Sequence, residues 1–134
     1  MSETDDELDS IREQKRKELE DKASKPETPD TPIHVEGQSH LDQLVADHDV
    51  VLVDFYADWC GPCKMLEPTI ETLAAESDAV MAKVDIDAHQ ALAQQYRVQG
   101  VPTLYLFANG EPVEQMVGVQ DKGTLEQKIA AASA

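Results

Sequence analysis

Cysteine is scarce in this chain, with two among 134 residues. One structural disulfide in a secreted protein is the bland reading of such a pair, but a bridge between residues only three positions apart closes so short a loop that it constrains little unfolded-chain entropy. Long apolar runs are missing too, and no stretch is long enough to span a membrane. Basic residues are few: 11 Lys and Arg stand against 27 Asp and Glu, a formal charge of −16 with a pI near 4.3. Such a surface makes nucleic acid a poor partner. The start, Met1-Ser2-Glu3-Thr4-Asp5-Asp6-Glu7, is acidic and lacks the basic-then-apolar order of a signal peptide, so a cytoplasmic protein is expected. No internal repeat and no nucleotide or flavin site is visible, so no bound cofactor is expected and electrons for any redox step must arrive from another protein.

What is there is concentrated around the cysteines. Both lie in Trp59-Cys60-Gly61-Pro62-Cys63, directly after the apolar run Val50 to Ala57, whose β-branched and aromatic residues predict a buried strand. From Lys64 to Ala75, Met65, Leu66, Ile70, Leu73 and Ala74 recur at helical spacing and predict an amphipathic helix. The dithiol thus falls at a strand-to-helix junction, where unpaired backbone N–H groups and the helix dipole favour a thiolate at Cys60 over its thiol. Cys60, on the exposed N-terminal side, is the expected attacking residue. Cys63, one helical turn further in and more buried, is the expected resolving thiol. Between them, Gly61-Pro62 suits a first helical turn, because proline has a fixed φ and no N–H to leave unpaired.

The chain divides by composition. Residues 1–32 form a charged N-terminal extension. Thr4 and Glu7 have capping-box spacing, and Glu13 with Lys17, Glu18 with Lys22 and Asp21 with Lys25 are i,i+4 pairs, but only Leu8, Ile11 and Leu19 offer apolar surface. A helix there has little to bury and is marginal alone, and Pro26, Pro29 and Pro32 then read as an extended linker. The tail reads as solvated, or as a segment whose three apolar residues dock on a partner or on the domain itself. Residues 33–134 read as one α/β domain. Its predicted elements are a short strand at Ile33 to Glu36, a helix capped by Ser39 carrying Leu41, Leu44 and Val45, the apolar strand and the dithiol helix. A strand at Ala79 to Ile86 and a helix at Ala88 to Tyr96 follow, then a hairpin of Thr103 to Phe107 and Pro112 to Val117 around Asn109-Gly110, and a last helix from about Asp121 to Ala132. Strands alternate with helices first and a hairpin comes last, so a mixed sheet is expected, parallel early and antiparallel late.

Two charged residues break apolar strands. Asp54 sits amid Val51, Leu52, Val53 and Phe55, where burial would raise its pKa and make it a proton acceptor for Cys63; the other reading is an acid that reaches solvent at the strand's end. Lys83 likewise interrupts its strand, either snorkelling or making a functional contact. Zinc is a competing use of the cysteines, with His34 and His40 at H-x5-H spacing, but the His pair precedes the Cys pair and straddles a predicted loop. No metal site is expected. His48 and His89 are isolated and read as surface residues, and Pro68 is expected to kink the dithiol helix rather than end it.

Taken together, Trp59 to Lys64 preceded by Asp54-Phe55-Tyr56-Ala57, then Pro68, Lys83-Val84-Asp85, Val101-Pro102-Thr103, Gly110 and Gly118 resemble the thioredoxin family in order and spacing, over residues 33–134. Tyr56 departs from it, standing where many relatives have a second tryptophan. The resemblance implies a thioredoxin fold, a central mixed sheet with helices on both faces. It implies a protein-disulfide reductase rather than an oxidase or isomerase, since proline between the cysteines goes with reductants in this family. It implies that Lys83 partners Asp54, that Pro102 is a cis-proline, and that Val101 offers backbone groups to a substrate chain. Trp59, Gly61, Pro62, Gly100 and Gly118 then surround the dithiol on a shallow apolar substrate surface. The implied partners are a thioredoxin reductase, NADPH-linked or ferredoxin-linked, and disulfide-containing clients, with a monomer expected. A scaffold module with an incidental dithiol is the alternative from another class. Residues 33–134 carry sixteen acidic residues against Lys64, Lys83, Arg97, Lys122 and Lys128, a composition that resembles proteins of salt-loving archaea; a merely acidic mesophilic protein is the other reading.

Overall fold

The computed structural model describes residues 28–133. The helix and ion pairs expected within residues 1–25 lie outside the described residues. Nine elements follow one another: β1 (Ile33–His34), α1 (Gln38–Asp47), β2 (Val50–Tyr56), α2 (Gly61–Glu76), β3 (Val80–Asp85), α3 (Gln90–Gln95), β4 (Thr103–Ala108), β5 (Glu111–Val117) and α4 (Lys122–Ser133). The five strands form one sheet in the order β1-β3-β2-β4-β5, with β1–β3 and β2–β3 parallel and β2–β4 and β4–β5 antiparallel. The mixed sheet read from the strand-helix alternation is the one that forms.

Central β2 explains its own composition. Flanked by strands on both edges and covered on both faces, Val50 to Phe55 are all buried, which a half-polar alternating strand could not be. Its even-numbered residues Val50 and Leu52 join Leu66, Ile70 and Leu73 of α2, Met81, and Leu125 and Ile129 of α4 in one core. Its odd-numbered residues Val51, Val53 and Phe55 pack with Leu41 and Leu44 of α1, Val84, and Leu92 of α3 in another. Helices thus cover both faces. Four of the chain's six aromatic residues, Phe55, Tyr96, Tyr105 and Phe107, stack on the α1/α3 side with centroids 5.4–6.5 Å apart.

Element ends moved for local reasons. Helix α2 begins at Gly61, three residues before the apolar periodicity starts, because Pro62 occupies a first-turn position that has no use for an N–H. It continues through the exposed Pro68 to Glu76. Helix α1 starts at Gln38 with Gly37 at the cap, so Ser39 lies inside the first turn and does not cap it; the Glu36 N–H donates instead to His40 Nδ1 at 3.0 Å. Asn109 and Gly110, with φ of 52° and 85°, make the two-residue hairpin turn, a conformation that Asn-Gly adopts at little cost. Pro112 is tolerated in β5 because that strand is the sheet's edge.

Candidate active site

The end of β2 and the start of α2 build the site. Cys60 is the N-cap residue of α2, and its sulfur accepts from the Cys63 N–H at 3.2 Å, taking one of the donors that a helix start leaves unpaired. Cys60 and Cys63 are joined as a disulfide with Cα atoms 5.3 Å apart. The expected contrast in exposure is not there: Cys60 is 4% exposed and Cys63 2%, because Tyr56, Ala57, Ile86 and Val101 pack around both. What distinguishes them is position, since Cys60 caps the helix and Cys63 lies within its first turn. Val101 brings its carbonyl oxygen within 3.6 Å of Cys60 Sγ.

That carbonyl belongs to the segment entering β4. The Val101–Pro102 peptide is cis, Pro102 is buried, and its carbonyl accepts from the Gly118 N–H at 2.8 Å. The buried Thr103 hydroxyl donates to the Gly100 carbonyl at 2.5 Å and ties the segment back on itself. Gly118 has φ 91°, a region L side chains rarely adopt, and a Cβ there would meet nothing within 4 Å. Gly61, Pro62 and Gly100 are exposed around the pair. Trp59 is 69% exposed, an unusual place for an indole, and its Nε1–H donates to Asp87 Oδ2 at 2.9 Å.

Beneath the dithiol helix lie the two charged strand residues. Asp54 is 1% exposed, and neither carboxylate oxygen has a hydrogen-bond partner among the described residues. Burial is the main reason its pKa rises from 3.8 to about 7; Lys83 pulls it down and Glu67 pushes it up. The solvent-reaching alternative for Asp54 is thereby excluded. Lys83 is no snorkelling lysine either, being 8% exposed and directly opposite Asp54 in the β2–β3 register. Its ammonium, however, goes to Glu67 Oε1 at 3.6 Å and lies 4.4 Å from the Tyr56 ring centroid. Lys83, the partner of Asp54 that the resemblance implies, makes no ion pair with it among the described residues, yet its charge still lowers the Asp54 pKa. Burial, then Asp85 and Asp58, raise the Tyr56 phenol pKa.

Glu67 and Asp87 escaped the sequence reading. Glu67 follows Cys63 by four residues on the same helix, a spacing that put it near the site without saying that it would overlie Lys83. Nothing in the sequence linked Asp87 to Trp59. As for metal, His40 Nδ1 is already an acceptor for a backbone N–H, and no group of three or more His, Cys, Asp or Glu among the described residues could hold an ion. No helix among them is long and apolar enough to cross a membrane.

The thioredoxin family model matches residues 32–131. The chain belongs to the thioredoxin family. Thioredoxin from Chlamydia trachomatis is 46% identical over 99 residues, 73% of this chain and 96% of the relative, and thioredoxin from Chlamydia caviae is 53% identical over 81 residues, 60% and 79%. A solved structure of a mutant thioredoxin from Halobacterium salinarum shares 57% identity with a TM-score of 0.78, covering 80% of this chain and 95% of that one. The sheet and its flanking helices are therefore the thioredoxin fold, and the buried Cys60–Cys63 pair is the redox centre of a thiol–disulfide oxidoreductase that reduces protein disulfides. Membership also means that it works between a reductase and disulfide-bearing clients.

Proposed function

We propose that Cys60 is the attacking thiolate and Cys63 the resolving thiol of this reductase cycle. The observation that carries the assignment is the Cys63 N–H aimed at Cys60 Sγ at 3.2 Å, a donor that stabilises charge on the first sulfur and not on the second. Once the pair is reduced, the Cys60 thiolate attacks one sulfur of a client disulfide, forming a Cys60–client bond and expelling the other client sulfur as a thiolate. Cys63 then gives its proton to Asp54 and attacks Cys60 Sγ, which restores the Cys60–Cys63 disulfide and releases the second client thiolate. Two electrons have passed to the client, whose thiolates take up two protons. Asp54 suits the acceptor role because its pKa of about 7 lets it hold and lose a proton near neutrality.

Client docking falls to the exposed surface around the pair. Val101 backbone groups make strand-like contacts needing little side-chain specificity, while Trp59, Gly61, Pro62, Gly100 and Gly118 shape the approach and Pro102 holds Val101 in place. Electrons come from a thioredoxin reductase, NADPH-linked or ferredoxin-linked, and the Cys60–Cys63 dithiol is the only redox group. Residues 33–134 act as a monomeric domain in the cytoplasm, preceded by the extension 1–32. The −11 charge of that domain and the likeness to a Halobacterium salinarum protein support adaptation to high salt. Reduction of insulin with dithiothreitol as electron source tests the activity: turbidity should appear well before the protein-free blank, and a trace matching the blank would leave a scaffold. Equilibration with glutathione should leave the dithiol strongly reducing, whereas a mainly oxidised pool would indicate an oxidase or isomerase.

A further inference from the structure

Asp54 and Lys83 are Cα partners in neighbouring parallel strands and share the sheet face that α2 covers. A buried carboxylate and a buried ammonium so placed would ordinarily close into a pair, because attraction strengthens as water is excluded. Here the ammonium stands 3.6 Å from Glu67 Oε1 and 4.4 Å from the Tyr56 ring centroid, and both Asp54 oxygens are without a partner among the described residues. The competing acid comes from the helix that carries the dithiol, with an aromatic face adding its own attraction for the cation.

We propose that Glu67 is a positioning residue for the buried acid: by holding the Lys83 ammonium against α2 and the Tyr56 ring, it keeps that cation off Asp54 and leaves Asp54 free to exchange a proton. The proposal rests on the reading of Asp54 as the proton acceptor. The charged and titratable groups gathered there are Glu67 from α2, Lys83 and Asp85 from β3, Tyr56 from β2 and Asp58 from the turn before α2, while the β4 residue opposite Asp54 is the apolar Leu104. Glu67 acts twice in the same direction. Its own charge disfavours the Asp54 carboxylate, and its grip on Lys83 withholds the counter-charge that would stabilise it.

The test is a titration of the Asp54 carboxyl carbon by NMR in the full, oxidised chain. Glu67→Gln removes the charge from a half-exposed position, so the fold is retained. With Lys83 released toward Asp54, the midpoint should move to lower pH by about one unit. Glu67→Asp keeps the charge on a shorter stem and should fall between. The pH dependence of mixed-disulfide resolution should move the same way in Glu67→Gln. A Glu67→Gln midpoint equal to that of the parent overturns the proposal. Because the carbon signal reads Asp54 directly, this result is separate from failure of the proton-acceptor reading, which would appear as unchanged turnover in Asp54→Asn.

Discussion

Val101 and Cys60 are 41 residues apart in the chain, yet the carbonyl oxygen of one lies 3.6 Å from the sulfur of the other. The antiparallel β2–β4 pairing brings this about: Phe55 stands opposite Thr103, so the residues just beyond each strand end converge. A backbone edge suited to a client chain is thereby set beside the proposed nucleophile, and perturbing the edge separates docking from sulfur chemistry.

Gly118→Val places a side chain where there is open space beside the Pro102 carbonyl, at a φ of 91°. Strain should lower stability by roughly 1–3 kcal/mol, read from urea unfolding. The KM for insulin should rise several-fold while exchange with a small linear disulfide is little changed. Equal losses on both substrates would remove Gly118 from the docking surface.

Cys63→Ser should accumulate a covalent Cys60–client adduct detectable by mass spectrometry, since the second step has no nucleophile. Cys60→Ser should give none. Adducts of equal yield in the two variants would show that the order of action is wrong.

Asp54 leaves a signature in stability as well as in rate. Its folded pKa of about 7 lies above the ordinary 3.8, so between those values the folded state holds a proton that the unfolded state has lost. Raising the pH then favours unfolding: the contribution is fully present below about pH 4 and is lost as pH rises to about 7, amounting at most to about 4 kcal/mol. Urea midpoints at pH 4.5 and pH 8 should therefore fall more steeply in the parent than in Asp54→Asn, with the surface acids common to both. Identical slopes would mean that Asp54 titrates as an ordinary carboxyl. In the same variant, resolution of the mixed disulfide near neutral pH should slow.

Surface charge predicts a salt response. At −11 over residues 33–134, self-repulsion is relieved as the screening length drops from about 10 Å at 0.1 M to about 3 Å at 1 M salt. Thermal unfolding in KCl should show Tm climbing across this range and beyond it. A Tm indifferent to KCl argues for an acidic protein without salt adaptation.

Much of the fold was legible because its signals are local. The apolar run of β2, the 3.6-residue periodicity of α2 and the Asn109-Gly110 turn each follow from a short stretch of chain, and the dithiol announced itself by sitting between the first two. Helix ends were less legible: Pro62 belongs to the helix although it carries no apolar face, and α1 starts after Gly37 with no side-chain cap, where Ser39 offers a capping side chain one residue too late. Cys60 is nearly buried because what covers it, Val101 and Ile86, arrives from the segment before β4 and the residue after β3, both remote in sequence.

By itself, then, the sequence determined the strand-to-helix junction, the order of the two thiols along it, and the presence of an acid and a lysine inside apolar strands, since backbone propensity and periodicity act over a few residues. Only the tertiary structure decided where the lysine's charge goes. Register set Lys83 opposite Asp54, but helix packing brought Glu67 to the Lys83 ammonium, and a cation's choice between two acids depends on distances and burial that no spacing along the chain encodes.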